Sequence, residues 1–149
     1  LCCNTTDGGF HQHYGTGCII RNNIFAFNRE IGAVRSYRGE VDGIPCTFHF
    51  HNNIILVDHG PLVSKDIHNV GGVWANNLWY DLRGREAAEL GGTGWDGWTA
   101  SGRETGGVFA DPCFADAERF DFTLKEGSPA FGMGFRAWDY RQAGRKPQR

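Results

Sequence analysis

Short apolar runs recur along the chain, most of them introduced by a pair of asparagines. The full copies are RNNIFAFN at 21–28, HNNIILVD at 51–58 and ANNLWYDL at 75–82, and LCCN at 1–4 matches the second half of a copy. Aligned on the residue after the asparagine pair, the copies are spaced by 23, 30 and 24 residues and start at Leu1, Ile24, Ile54 and Leu78. A short apolar run at such a period predicts a solenoid of stacked coils.

The length of the repeat indicates the kind of solenoid. A coil of this size holds three short strands and three turns, as in a right-handed parallel β-helix, where each strand pairs with its copy in the next coil at about 4.8 Å. Glycine, 22 of 149 residues, favours short strands joined by tight turns. We therefore predict an all-β right-handed parallel β-helix of about four to five coils, with short helical insertions near the C-terminus.

We predict a single domain over residues 1–149. Its parts are regular coils at 1–83, an insertion at 84–108, a closing coil at 109–135 and a solvated tail at 136–149 that carries Arg141, Arg145, Lys146 and Arg149. The first coil is entered midway at Leu1. We therefore expect the C-terminal part of a longer β-helix, the alternative being an open edge covered by a partner or by self-association.

Charge and composition argue against several classes of function. A net charge of −2 without a basic stripe predicts no nucleic-acid partner. The chain contains no apolar run of membrane-spanning length, so no membrane partner is predicted. It also lacks a G-x-S-x-G elbow, a P-loop and a dinucleotide fingerprint.

The cysteines are five in number and show no CxxC spacing; they are Cys2, Cys3, Cys18, Cys46 and Cys113. Most lie among apolar or β-forming residues, where a free cysteine behaves as a small hydrophobe. Buried thiols are favoured over a disulfide framework.

Two loops are predicted to lie beside the coils. The ten residues SYRGEVDGIP at 36–45 hold the extra length of the second coil, and their Gly, Asp and Pro predict a protruding turn. The next lateral loop spans 60–72. Loops on one side of a solenoid commonly form the walls of a binding groove.

Two carboxylates occupy equivalent positions in neighbouring repeats. Asp7 follows Leu1 by six residues, and Glu30 follows Ile24 by six. Stacked equivalents lie about 4.8 Å apart along the backbone, and a retaining glycosidase needs its carboxyl groups about 5 to 5.5 Å apart. Because two close carboxylates repel, one would keep its proton as the acid and the other would stay ionised as nucleophile. The alternative is that both are ordinary turn residues.

Histidines and arginines surround this pair. His11 and His13 alternate along a predicted strand, so both point to one face and could bond sugar hydroxyls or tune the acid. A zinc site would need a third ligand, which the spacing does not indicate, so no metal is predicted. Arg29 and Arg35 could hold a uronate carboxylate or form surface salt bridges.

Three further groups of residues are candidates for substrate binding. Asp58 and His59 follow the third apolar run, where Asp58 is either another functional carboxylate or a turn residue. Trp95 and Trp98 lie in WDGWTA. Their indoles either pack locally or stack on the apolar face of a sugar ring.

A family resemblance becomes specific at residues 109–135, FADPCFADAERFDFTLKEGSPAFGMGF. ADPxF, an acidic turn, D-F-x-L and GSPA together resemble the closing coil of bacterial right-handed β-helix proteins, among them secreted polysaccharide lyases and glycoside hydrolases. GFRAWDYRQAG, DGGFHQHYG, IIRNNIFAFNRE and FHFHNNI are similar to one group of carbohydrate-directed β-helix proteins. The resemblance implies a polysaccharide or oligosaccharide partner and a secreted or periplasmic parent protein.

The resemblance also suggests roles for individual residues. By similarity to retaining β-xylosidases of β-helix fold, Asp7 would be the nucleophile and Glu30 the acid/base of a glycoside hydrolase. One alternative is a lyase on uronate-containing glycans, with cations or calcium neutralising the uronate and His11, His13 or Arg35 accepting the proton. The other alternative is a non-catalytic glycan-binding or structural β-helix fragment. Apart from calcium in a lyase, no cofactor is expected.

Overall fold

In a computed structural model that describes residues 1–69 and 71–142, the chain is mostly β-strand with a few short helices, which confirms the expected β-rich class. Residues 143–149, with Arg145, Lys146 and Arg149 of the predicted tail, lie outside the described residues. Arg141 lies within them and forms an ion pair with Asp139 at 3.0 Å. None of the helices in the described ranges has the length and apolar character needed to cross a membrane.

The strands are short and are numbered in chain order. They are β1 (Cys2–Cys3), β2 (Gly8–Gln12), β3 (Cys18–Arg21), β4 (Ile24–Ala26), β5 (Ile31–Ser36), β6 (Glu40–Val41), β7 (Ile44–Pro45), β8 (Phe48–His51), β9 (Ile54–Val57), β10 (Trp74–Ala75), β11 (Leu78–Asp81), β12 (Glu104–Thr105), β13 (Val108–Phe109), β14 (Phe114–Asp116) and β15 (Asp121–Leu124). The helices are α1 (Trp95–Ala100) and α2 (Pro129–Gly132), with 3-10 turns at Arg85–Ala87, Ala117–Arg119 and Tyr140–Gln142.

The first sheet is parallel, in the order β1-β4-β9-β11-β13. Ile54 pairs with Ile24 on one side and with Leu78 on the other, and Cys2 pairs with Phe25. The repeat alignment predicted from the asparagine pairs is therefore confirmed. A further copy begins at Val108, which pairs with Leu78. The sequence pattern concealed it because Gly106 and Gly107 stand where the other copies have asparagines.

Two other sets of parallel strands come from the same repeats. A second sheet has the order β12-β10-β8-β3. A third set consists of β2 and β5, continued by single bridges from Val34 to Val63 and from Val63 to Leu90. Buried side chains from all three sets form one core, in which the rings of Phe25 and Phe50 stack at 5.6 Å.

The outer face of the first sheet is also covered. β14 and β15 pair antiparallel, and they pack with α2 and Phe135 against outward residues such as Ile24 and Leu56. This arrangement corrects the prediction for residues 109–135, because only their start extends the parallel stack and the rest folds back over its side. Tyr140 anchors this cover by accepting a hydrogen bond from the Phe122 N–H at 2.8 Å.

The connections partly follow prediction. The turn predicted at 36–45 is a small antiparallel hairpin of β6 and β7, with Asp42 and Gly43 in the left-handed region. The predicted insertion 84–108 is more ordered than expected, since it holds α1, β12 and the start of β13. All five cysteines are free, and only Cys46 is buried.

A ladder of asparagine side chains joins successive repeats. Asn53 accepts hydrogen bonds from the Asn23 backbone and side chain at 3.0 and 3.2 Å. Asn77 accepts the equivalent pair from Asn53 at 3.0 and 3.1 Å. Asn53 and Asn77 are almost fully buried. Each of these two amides therefore satisfies backbone groups of the preceding repeat, in the turn that leads into a strand of the first sheet. Unpaired backbone groups would be costly at this buried position.

The first asparagine of each pair has a different role. Asn22, Asn52 and Asn76 have φ values of 56, 53 and 53°, and Gly106 has 68° in the fourth copy. Asparagine tolerates this left-handed conformation better than most residues do. The pair thus combines a residue that turns the chain with a residue that bonds the next repeat.

Glu104 ends the asparagine ladder. It pairs in register with Trp74, and its carboxylate accepts hydrogen bonds from the Asn77 side chain and, at 3.3 Å, from the Trp79 indole. A Cβ on Gly107 would lie 2.4 Å from the Glu104 Cγ, so the missing side chain at 107 makes room for the carboxylate. Burial raises the pKa of Glu104 to about 7, while hydrogen bonds from Asn77 and Trp79 oppose that shift.

Replacing Asn53 by Ala should cost about 3 kcal/mol of unfolding free energy, because the Asn23 N–H and the Ile20 carbonyl lose their partner. Urea denaturation measures the loss. Asn23→Ala is the matched control at the partly exposed end of the ladder and should cost about 1 kcal/mol. Equal losses in the two variants would contradict a special role for the buried rung.

Stability should depend on pH through Glu104. Its pKa is raised on folding from 4.5 to about 7, so the folded state binds the proton more tightly and is stabilised at low pH. That stabilisation, about 3 kcal/mol, is fully present below pH 4.5 and is lost as pH rises to about 7. Glu104→Gln should remove this dependence from unfolding free energies measured at several pH values. The exposed-site control Glu89→Gln should retain it, and identical pH profiles for both variants would refute the assignment.

Candidate functional site

The candidate carboxylates lie side by side at one corner of the stack. Asp7 directly precedes β2 and Glu30 directly precedes β5, and the adjacent residues Gly8 and Ile31 are partners in the parallel pairing. The predicted equivalence of the two positions is therefore confirmed. The turn that carries Glu30 is held by buried Asn28, which accepts from the Thr5 N–H at 3.1 Å and donates to the Gly32 carbonyl at 2.8 Å.

Arg35 joins the two carboxylates. Its Nε lies 2.9 Å from Asp7 Oδ1, and its Nη2 lies 2.8 Å from Glu30 Oε2. The Nε and Oδ1 atoms are shielded from solvent, whereas much of each carboxylate remains exposed. We call Asp7, Glu30 and Arg35 the carboxylate–arginine cluster. The repulsion expected between the two acids is offset because a cation lies between them.

Tyr37 completes the surroundings of Arg35. Its hydroxyl accepts a hydrogen bond from Arg35 Nη1 at 2.8 Å. This bond and the nearby Asp7 and Glu30 carboxylates raise the pKa of Arg35 above its ordinary value. A protonated guanidinium cannot accept a proton, which weighs against Arg35 as the predicted base of a lyase reaction.

Aromatic rings extend the cluster across the surface. We define the aromatic patch as His11, His13, Tyr14 and Tyr37, all of them exposed. The His11 and Tyr37 rings are 4.6 Å apart, and those of His13 and Tyr14 are 4.3 Å apart. His11 lies opposite Arg35 in the pairing of β2 with β5. Both predicted histidines thus lie beside the carboxylate–arginine cluster.

The two tyrosines of the patch were not among the predicted site residues. Tyr37 follows Arg35 by two residues, so a period-2 pattern could have placed it on the same face. Tyr14 comes directly after the alternating histidines. Its position depends on the loop after β2, and Arg38 covers its ring at 5.0 Å.

A concave surface lies at the same corner, on the side of the first sheet. This corner groove has a volume of about 710 Å³ and is lined by Asn4, Phe27, Arg29, Asp58, His59, Leu82, Glu118 and Phe120. It brings together the predicted residues Arg29, Asp58 and His59. The imidazole Nδ1 of His59 lies 2.5 Å from Asp58 Oδ1, so the two side chains orient each other.

The floor of the corner groove is apolar and partly supplied by the C-terminal cover. Phe27 and Phe120 meet edge to face at 6.3 Å, and both have left-handed backbone conformations. Glu118 and Phe120 come from the segment between β14 and β15. Sequence reasoning missed these two because no local pattern shows that this segment folds back toward residues 27–29.

The two candidate tryptophans lie in the core. Trp95 is 6% exposed and packs against Phe109, while Trp98 is 1% exposed and meets Trp74 edge to face at 5.2 Å. Both indoles therefore pack locally, and neither is exposed for stacking on a sugar. Their inclusion among the substrate-binding residues is therefore corrected.

The described residues contain no group of three or more His, Cys, Asp and Glu side chains placed to hold a metal ion. His11 and His13 have ring centroids 5.8 Å apart, and their nearest aromatic neighbours are tyrosines.

Arg35→Met should lower the unfolding free energy by about 1 kcal/mol, a modest amount because the two carboxylates are half-exposed. The loss should shrink at high salt. Adding Glu30→Gln to the Arg35→Met variant should recover part of the lost unfolding free energy, because it removes the repulsion between the Glu30 and Asp7 carboxylates. Arg29→Met is the control, since Arg29 forms no ion pair within residues 1–69 and 71–142. If the loss of unfolding free energy in Arg35→Met does not depend on salt, Arg35 stabilises the fold through packing and not through its charge.

Comparison with known proteins supplies no further guide to the site. No protein-family model matches the chain, and the searches of curated proteins and of solved structures also returned no match. Any functional assignment therefore rests on the geometry of these residues and on the resemblance of the sequence motifs.

Proposed function

We propose that this chain forms a right-handed parallel β-helix that binds a polysaccharide or oligosaccharide along the corner between its first sheet and its third set of strands. The parallel pairing of equivalent residues in successive repeats supports the fold. The resemblance of the C-terminal motifs to carbohydrate-active β-helix proteins supports the class of ligand.

The observation that carries the proposal is the fixed position of Arg35. Contacts with Asp7, Glu30 and Tyr37 hold its guanidinium in one orientation. In turn, the guanidinium orients two carboxylates whose remaining oxygens face solvent. Such a preorganised group of charged acceptors can bond vicinal sugar hydroxyls with little loss of side-chain entropy.

Exposed rings next to these polar groups supply the apolar half of a sugar site. Tyr37 is 51% exposed and Tyr14 is 52% exposed, although both are large. An aromatic face suits the C–H face of a sugar ring, while the ring hydroxyls turn toward polar partners. The corner groove continues this pattern with exposed Phe120 beside Arg29 and Asp58.

Retaining glycoside hydrolysis is the second candidate. The equivalent positions of Asp7 and Glu30 on adjacent strands favour it, with Asp7 as nucleophile and Glu30 as acid/base. Against it, one oxygen of each carboxylate is already held by Arg35, whereas hydrolysis needs both groups to reach the scissile bond. Binding without cleavage therefore ranks first.

The lyase alternative has less support. All three nitrogens of the Arg35 guanidinium already contact Asp7, Glu30 or Tyr37, so a uronate carboxylate would have to share this cation with two protein carboxylates. His11 or His13 would have to accept the proton, and Arg29 would have to neutralise the substrate.

Binding can be tested by screening the chain against an array of neutral and uronate-containing polysaccharides, with calorimetry on the best ligand. Tyr37→Ala should weaken binding about tenfold, because it removes both a stacking ring and the support of Arg35. Phe131→Ala, which removes an exposed ring on α2, is the matched control and should bind normally. Absence of binding to every glycan, or an unchanged affinity of Tyr37→Ala, would refute the proposal.

The same samples distinguish the enzymatic alternatives. If the chain releases reducing ends and Glu30→Gln abolishes this release, the chain is a glycoside hydrolase. If ultraviolet absorbance rises when the chain is mixed with uronate polymers, it is a lyase.

A further inference from the structure

A separate pocket lies where the strands of the second sheet end. It has a volume of about 390 Å³, and its lining residues, which we call the arginine pocket, are Arg21, Asn22, His51, Asn52, Gly134 and Arg136. It shares no residue with the corner groove or with the carboxylate–arginine cluster. Its volume falls in the range of clefts that take small organic ligands.

Two of its charged or titratable side chains are placed by the repeat itself. Arg21 and His51 are the last residues of β3 and β8 and are partners in the parallel pairing. Equivalent residues on adjacent strands point to the same face about 4.8 Å apart. His51 is oriented by a contact of 2.7 Å between its Nδ1 and Asn52 Oδ1, which leaves Nε2 for another partner.

Arg136 is brought to the same pocket by the C-terminal cover. Its N–H donates to Asn22 Oδ1 at 2.7 Å, and its carbonyl accepts from Asn22 Nδ2 at 2.8 Å. Asn52 Nδ2 donates to the Met133 carbonyl at 2.5 Å. Gly134, which lies between Met133 and Arg136 in the chain, has a φ of 82°. Asn22 and Asn52, which turn the chain in two repeats, therefore also hold the backbone of the C-terminal cover at Arg136 and Met133.

The pocket has positive charge without a matching carboxylate. None of its lining residues in the described part of the chain is acidic. Among the ion pairs of residues 1–69 and 71–142, none includes Arg21 or Arg136, although other arginines do pair. Two unpaired guanidinium groups beside two amides form a donor-rich site, which suits an oxyanion.

We propose that the arginine pocket binds a small organic oxyanion, a ligand with a carboxylate, sulfate or phosphate group. The guanidinium groups of Arg21 and Arg136 contact its charged oxygens, and His51 Nε2 and the asparagine amides contact its uncharged polar groups. This binding is independent of the carbohydrate site proposed above, since it uses different residues and a charged group on the ligand.

The test uses four ligands with one sugar ring: glucose, glucuronate, glucose 6-sulfate and glucose 6-phosphate. Calorimetry should detect binding of at least one anionic sugar, weakened by added salt, and no binding of glucose. Which anions bind shows whether a carboxylate or a tetrahedral group is preferred. Arg21→Gln and Arg136→Gln should each weaken binding at least about tenfold. Arg119→Gln, at an exposed arginine outside the pocket, should have no effect.

Thermal unfolding of each variant checks that the pocket remains folded, which is expected because Arg21 and Arg136 are exposed and Arg136 is held through its backbone. Glucose binding as tightly as the anions, no anion binding at all, or unchanged affinity in a folded Arg136→Gln variant would each overturn the proposal.

Discussion

The buried asparagine ladder is the interaction on which the rest of the structure depends. Parallel strands in short repeats need turns whose backbone groups would otherwise lie unpaired beside the core. The amides of Asn53 and Asn77 satisfy those groups in the neighbouring repeat, so each rung is also a register constraint. At the last rung, Gly107 makes room for Glu104, and a titratable carboxylate replaces the amide.

Register then determines the surface chemistry. Because equivalent residues are stacked, a polar side chain at a given position acquires a neighbour at the same position in the next repeat. Asp7 and Glu30 become neighbours in this way, and so do Arg21 and His51. The first pair encloses a cation, and the second contributes to a positive pocket. The same principle therefore produces two sites of opposite character at two corners of the stack.

The C-terminal cover has both a structural and a functional consequence. It buries the outer face of the first sheet, which would otherwise be a large exposed apolar surface. It also contributes residues to each of the two concave surfaces. Phe120 reaches the corner groove, and Arg136 reaches the arginine pocket, so both concave surfaces are completed by residues far away in the chain.

The sequence by itself determined the repeat spacing, the parallel partners of Ile24, Ile54 and Leu78, and the shared position of Asp7 and Glu30, because period and register are properties of local pattern. Only the tertiary structure decided the placement of Arg35 between the acids, the burial of Trp95 and Trp98, and the return of residues 114–136 over the sheet. These depend on side-chain reach and on competition for the same apolar surface. Such long-range packing leaves no periodic trace in the chain.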